Sequence, residues 1–184
     1  AAHASPSSNP CSVAVGDFNN DGNQDFAIAN ITAVPSTVSI RFGDGAGGFT
    51  GTTNVPVGVP AGQPPSQTGP QPIQVVIGDF NGDGKQDFAT ANSGVGTVSI
   101  RLGDGAGNFT GVTATSEIDV GGVGANTVAV AIGDFNGDGK PDLAAANNTT
   151  GNVRILIGDG LGAFTVSGTV TYGSAQSVAV GDFN

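Results

Sequence analysis

The chain has 184 residues, with 15 Asp and Glu against 5 Lys and Arg, a formal charge of −10, 32 Gly, 10 Pro, one Cys and no Met or Trp. That length supports one domain of ordinary size. Five scattered cations cannot neutralise a row of phosphates, which excludes a nucleic-acid groove and argues against an anionic membrane surface; no apolar run approaches the ~20 residues of a transmembrane helix, and the glycine and proline content would break long helices.

Taken in chain order, the sequence opens on a leader, residues 1–11, that contains Ser and Pro and is expected to be flexible. It starts Ala-Ala-His-Ala-Ser without Met, as expected of a processed or cut chain, and it holds the only His and the only Cys. A single Cys allows neither an intrachain disulfide nor a cysteine-based zinc site, so Cys11 reads as a free thiol or a small hydrophobe.

Self-comparison is the most informative step after that. The segment VAVGDFNNDGNQDFAIAN (13–30) returns as VVIGDFNGDGKQDFATAN (75–92) and VAIGDFNGDGKPDLAAAN (130–147), and SVAVGDFN closes the chain. Each full copy is followed by a second motif: TVSIRFGDGAGGFT (37–50), TVSIRLGDGAGNFT (97–110) and NVRILIGDGLGAFT (152–165). The leading aspartates Asp17, Asp79, Asp134 and Asp182 stand 62, 55 and 48 residues apart, so the unit is about 50 residues long.

Inside a unit the residues alternate at period two in short runs, as in Val13-Ala14-Val15, Phe26-Ala27-Ile28-Ala29 and Val38-Ser39-Ile40-Arg41-Phe42. Asn-Asp-Gly and Gly-Asp-Gly turns separate them, and Phe49-Thr50 opens a fourth run. Four short strands in each unit is the arithmetic of a β-propeller blade. The prediction is an all-β fold with blade 1 at 12–55, a Pro-rich inter-blade loop at 56–72, blade 2 at 73–125, blade 3 at 126–175 and the first strand of a fourth repeat at 176–184. Propellers need at least about four blades to close. An unpaired strand over Ser177 to Val180 would leave a bare edge, so completion by another chain or a larger propeller is expected, with self-association through that strand.

The first motif carries the chemistry. Its oxygen donors are Asp17, Asn19, Asp21 and Asp25 in copy one, Asp79, Asn81, Asp83 and Asp87 in copy two, and Asp134, Asn136, Asp138 and Asp142 in copy three. Asn23, Lys85 and Lys140 occupy position 7, where a backbone carbonyl can serve. Six to eight hard oxygens at ~2.3–2.6 Å suit Ca²⁺ better than Mg²⁺. Three carboxylates within nine residues repel one another unless a cation joins them. Position 12 holds Ile28, Thr90 and Ala145 where an EF-hand needs a bidentate Glu, so the loop is not an EF-hand. About three Ca²⁺ per chain are expected, and they would bring the charge from −10 to about −4.

The Asp-x-Asn-x-Asp-Gly-x-x-Asp loop, followed about 20 residues later by a Gly-Asp-Gly turn, resembles the FG-GAP and VCBS repeats over nearly the whole chain from Ser12 to Asn184. The resemblance implies calcium-binding propeller blades, as in integrin α-subunits, certain fungal lectins and many secreted bacterial proteins. It also implies that the loop joins the first two strands of a blade.

No catalytic constellation stands out. His3 lies in the leader, and Glu117 and Asp119 are expected to be solvated. Arg41 and Arg101 could partner nearby aspartates, and the Gly-Asp-Gly-x-Gly turns at 43–47, 103–107 and 158–162 read as tight hairpin turns rather than phosphate cradles. Glycosylation sequons begin at Asn30, Asn108, Asn147 and Asn148, in an Asn- and Thr-rich chain where such matches arise readily. The expected protein is an extracellular or cell-surface, non-catalytic calcium-binding repeat protein with a structural or adhesive role, assembling as an oligomer or filament. A protein or glycan ligand is the expected external partner. The alternatives are a carbohydrate-binding lectin and a non-catalytic module of a larger secreted enzyme.

Overall fold

A computed structural model describes residues 9–31, 35–58, 71–110, 116–122 and 124–182. Most of the predicted leader, with His3, and most of the Pro-rich loop lie outside the described residues. The described chain forms three antiparallel sheets in sequence order. The first runs β1 (Pro10–Gly16), β2 (Asp25–Asn30), β3 (Thr37–Gly43) and β4 (Phe49–Pro56), each strand paired with the next. The second runs β5 (Gln71–Gly78), β6 (Asp87–Ser93) and β7 (Thr97–Gly103), with two short outer pieces, β8 (Phe109–Thr110) and β9 (Glu117–Asp119), both paired with β7. The third runs β10 (Thr127–Gly133), β11 (Asp142–Asn147), β12 (Asn152–Gly158) and β13 (Phe164–Thr171).

Each sheet is one sequence repeat, so the predicted blades are present. Three local differences have simple causes. Strand β1 starts at Pro10 and β5 at Gln71, so the leader and the Pro-rich loop each give residues to a strand. Pro72 is tolerated in β5 because it sits at the strand start, next to a register shift between Pro72 and Gln74. The fourth-repeat strand is absent as a ladder: the described residues 173–182 carry no strand. In blade 1 the same sequence pairs with β2, whereas here none of the described residues forms a strand beside it, and Ala175 and Val178 pack on Ala129, Ala146 and Val153.

The blades pack face to face through two apolar layers. Ala27, Ala29, Val38 and Ile40 of blade 1 meet Val75 and Phe88 of blade 2, and Ala89, Ala91, Val98 and Ile100 of blade 2 meet Val130, Leu143 and Leu156 of blade 3. Strand β6 lies between two blades and is buried along its whole length. Its polar residues are buried with partners: Thr90 Oγ1 donates to Asn92 Oδ1 at 3.0 Å, and Asn92 Nδ2 donates to the Thr97 and Ser99 hydroxyls at 3.1 and 2.7 Å. On β1, by contrast, Val13 and Val15 are 63% and 61% exposed, because no described blade covers that side.

The joint between blades 1 and 2 also holds a buried polar network. Arg101 donates from Nε and Nη2 to the carbonyl of Pro56 at 2.9 and 2.7 Å and pairs with Glu117. Glu117 in turn accepts from Ser99 Oγ at 2.6 Å and from the N–H of Gly58 at 3.1 Å. The expectation of a solvated Glu117 is therefore corrected: the segment leaving blade 1 crosses over it and excludes water. The partner of Arg101 is this glutamate rather than an aspartate. Burial pushes the Glu117 carboxyl above its ordinary range, and Arg101 pulls it partly back.

Cys11 is a free cysteine, and its sulfur faces the carbonyls of Pro72 and Ile73 at 3.1 and 3.3 Å. Of the sequon residues, Asn30 and Asn147 are buried, which removes them as acceptors in the folded chain. Among the described residues no helix is long and apolar enough to cross a membrane.

Candidate metal centres

Each aspartate loop joins the first two strands of its blade: residues 17–24 between β1 and β2, 79–86 between β5 and β6, and 134–141 between β10 and β11. The loop folds around its own side chains. Asp79 accepts the N–H of Gly82 at 2.8 Å on Oδ1 and that of Gly84 at 2.8 Å on Oδ2. Asn81 Oδ1 accepts from the N–H of Asp83 at 3.1 Å, and Asp83 Oδ1 from that of Lys85 at 3.0 Å. Loop 3 repeats this with Asp134 to Gly137 and Gly139 at 2.7 and 2.9 Å, Asn136 to Asp138 at 2.9 Å and Asp138 to Lys140 at 2.9 Å. Loop 1 keeps Asp17 to Gly22 at 2.9 Å, Asn19 to Asp21 at 3.2 Å and Asp21 to Asn23 at 2.7 Å.

The fourth loop position needs a left-handed backbone. It is Gly82 and Gly137 in two loops, at φ 72° and 77°, and Asn20 in the first, at φ 55°. Asn is the side chain that tolerates this region best, so the substitution leaves the loop geometry intact.

Positions 1, 3 and 5 thus turn their side-chain oxygens into one tight turn. Hydrogen bonds from the loop N–H groups hold Asp21, Asp83 and Asp134 below the ordinary carboxylate range, chiefly those of Asn23, Lys85 and Gly139. Lys85 and Lys140 reach Asp83 and Asp138 of their own loops at 3.4 and 3.9 Å.

Position 9 is placed differently. Asp25, Asp87 and Asp142 are buried, and each spends both oxygens on backbone amides. Asp25 accepts from Phe18 at 2.9 Å and from Gly43 at 2.8 Å; Asp87 accepts from Phe80 and Gly103, both at 2.8 Å; Asp142 accepts from Phe135 and Gly158, both at 2.8 Å. This carboxylate clamps the loop entry to the end of the third strand, a role that spacing alone did not reveal. The signal was available, since the Gly that opens each Gly-Asp-Gly turn follows it by 18, 16 and 16 residues in the three copies. Burial pushes Asp87 up to about 6, and the nearby Asp83 and Asp79 add to the shift. Among the described residues no three His, Cys, Asp or Glu side chains are grouped closely enough to hold a metal by themselves.

The donor set nevertheless fits a hard cation. Two carboxylates, one amide oxygen and the position 7 carbonyl lie in a loop of a few residues, with no nitrogen or sulfur ligand offered. The position 9 carboxylate can share a remaining lone pair. When bound, Ca²⁺ would cancel the repulsion among these carboxylates and tie the turn together.

Three antiparallel sheets in sequence order, each with an acidic loop between its first two strands, define a β-propeller type of repeat. The chain belongs to the FG-GAP-like repeat family, which matches residues 17–90, 79–145 and 134–184. No curated protein matches it. Among solved structures it is similar to BBS1N in complex with ARL6DN, soaked with lead, a β-propeller, with a TM-score of 0.60 and 12% identity. The likeness covers 96% of this chain and 49% of that one, so the chain spans about half the length of that structure, and it shows the fold alone.

Proposed function

We propose that the chain is a non-catalytic, calcium-stabilised propeller module of an extracellular or cell-surface protein, with a structural or adhesive role. The observation that carries this reading is the repetition of one oxygen-rich loop, with one hydrogen-bonding pattern, in all three blades. Loops of this modest charge suit the 10⁻⁴–10⁻³ M calcium affinity of extracellular modules. Glu117, the one glutamate of the chain, is committed to Arg101, which supports a role other than acid–base chemistry. Calcium that binds the folded loops stabilises by mass action, about 2.7 kcal/mol for each site at a hundredfold excess over its Kd. The expected outcome is a melting temperature that rises with millimolar calcium and falls with chelator. An unchanged melting temperature overturns the reading.

The exposed side of β1, with Val13 and Val15 uncovered and Phe49 exposed nearby in blade 1, supports a further contact with another blade or a second copy of the chain. Light scattering on the eluting protein is expected to show dimers or longer assemblies, and a compact monomer overturns self-assembly.

A further inference from the structure

The acidic loop of one blade is joined to the second-motif turn of the next, and the joint falls on the peptide between two candidate ligands. Gly107, in the turn after β7, donates its N–H to the carbonyl of Phe18 at 3.0 Å. Gly162, in the equivalent turn after β12, donates to the carbonyl of Phe80 at 3.1 Å. The Phe18 and Phe80 rings also stand edge-on to Phe109 and Phe164 of the following blade, with centroids 5.7 and 5.5 Å apart. Their N–H groups are held by Asp25 and Asp87 of their own blade. Each phenylalanine is therefore gripped from both blades.

Phe18 lies between Asp17 and Asn19, and Phe80 between Asp79 and Asn81, so fixing that peptide fixes ligand positions 1 and 3. Loop 3 has only half of the arrangement. Asp142 holds the N–H of Phe135, but among the described residues no following turn reaches its carbonyl. Its side chain is 41% exposed, against 1% for Phe18 and Phe80.

Building on the calcium reading above, we propose that the Gly-Asp-Gly-x-Gly turns of blades 2 and 3 are clasps that preorganise the cation loops of blades 1 and 2. Cation occupancy of loops 1 and 2 and the packing of blades 1–2 and 2–3 are then coupled, and within residues 1–184 loop 3, which no described turn clasps, binds more weakly. The physical basis is that a loop already ordered by its neighbour loses less freedom on closing around the ion. Linkage makes the coupling reciprocal: the ion tightens the blade joint by the same factor as the joint tightens the ion.

Two glycines separate the clasp from ordinary backbone strain. Gly162 and Gly47 occupy the same turn position at φ 90° and 89°, so alanine strains both alike. A Cβ at Gly162 would lie 2.7 Å from the Leu102 side chain of blade 2, so that either the turn or this side chain must shift at the joint, whereas a Cβ at Gly47 meets nothing within 4 Å.

The test is calcium titration by calorimetry of the full chain and of Gly162→Ala and Gly47→Ala. The parent is expected to show two sites about tenfold tighter than the third, the scale of one hydrogen bond. Gly162→Ala is expected to turn one tight site into a weak one, and Gly47→Ala to leave the pattern unchanged. Three equal sites in the parent, or the same change in both variants, overturns the coupling while calcium binding stands. No uptake at all overturns the calcium reading and the coupling with it. Should Gly162→Ala fail to fold, hydrogen exchange on the parent decides. Calcium is expected to slow the amides of Gly107 and Gly162 about tenfold and that of Gly47 much less, and equal effects on all three overturn the proposal.

Discussion

The nine aspartates of the three loops fall into two chemical kinds. Positions 1 and 5 serve the turn and face outward, while Asp25, Asp87 and Asp142 are buried and accept two backbone N–H bonds each. Hydrogen bonds to a buried charge are stronger than those in an exposed turn. With calcium chelated, Asp25→Ala is expected to lower urea-unfolding stability by about 3 kcal/mol, since it strands the amides of Phe18 and Gly43. Asp21→Ala, in the exposed turn, is expected to lose about 1 kcal/mol or less under the same conditions. Equal losses would mean that Asp25 acts only as a metal ligand. Sequence spacing grouped all four donors of a loop together. It did not distinguish the buried clamp, because the partner amide of Gly43 lies 18 residues away.

At the scale of the element, the repeated glycine that ends the third strand does a job no other residue can. A Cβ on Gly43, Gly103 or Gly158 would stand 2.2 Å from the carbonyl oxygen of Gln24, Gln86 or Pro141. The third strand passes so close to the end of the acidic loop that the clamp aspartate can reach its N–H. Gly103→Ala must move backbone, not a flexible side chain, and is expected to cost about 2–3 kcal/mol in urea unfolding. A loss below about 0.5 kcal/mol would show that the strand and loop can separate without penalty. The strands themselves were legible, because period-two runs and turn residues are local. The extra outer pairing of β9 on β7 was not, since three residues carry too little pattern to mark a strand.

Across the whole molecule, the joint between blades 1 and 2 is the least conventional feature. Arg101 and Glu117 form a buried ion pair whose further hydrogen bonds include those to Pro56, Ile100, Ser99 and Gly58. Removing one partner leaves the other charge buried and unpaired, which commonly costs about 3–5 kcal/mol. Glu117→Gln is expected to fall in that range by urea unfolding, and Arg101→Met combined with Glu117→Leu to recover a good part of it. A single-variant loss under about 1 kcal/mol would show that water reaches the pair. The corresponding residues of blade 1 make a different and more exposed set, with Arg41 bonded to Thr52 and Ser39 to Asn54 at 2.6 Å.

Repeats, strands and the acidic turns between them were readable from residue order, because each is made by neighbours within about one hairpin of the chain. What an acidic or basic residue does once folded depended on which blade lies against it. Glu117 became buried because the segment leaving blade 1 covers it. Phe18 and Phe80 became the grips of a joint because the next blade supplies a carbonyl's donor and a ring. The described residues of the fourth copy repeat the sequence of β1 and form no ladder, because pairing requires a second strand at hydrogen-bonding distance and none of the described residues lies beside them as one. Local chemistry is written along the chain; burial and partnership are set by contacts between residues far apart in it.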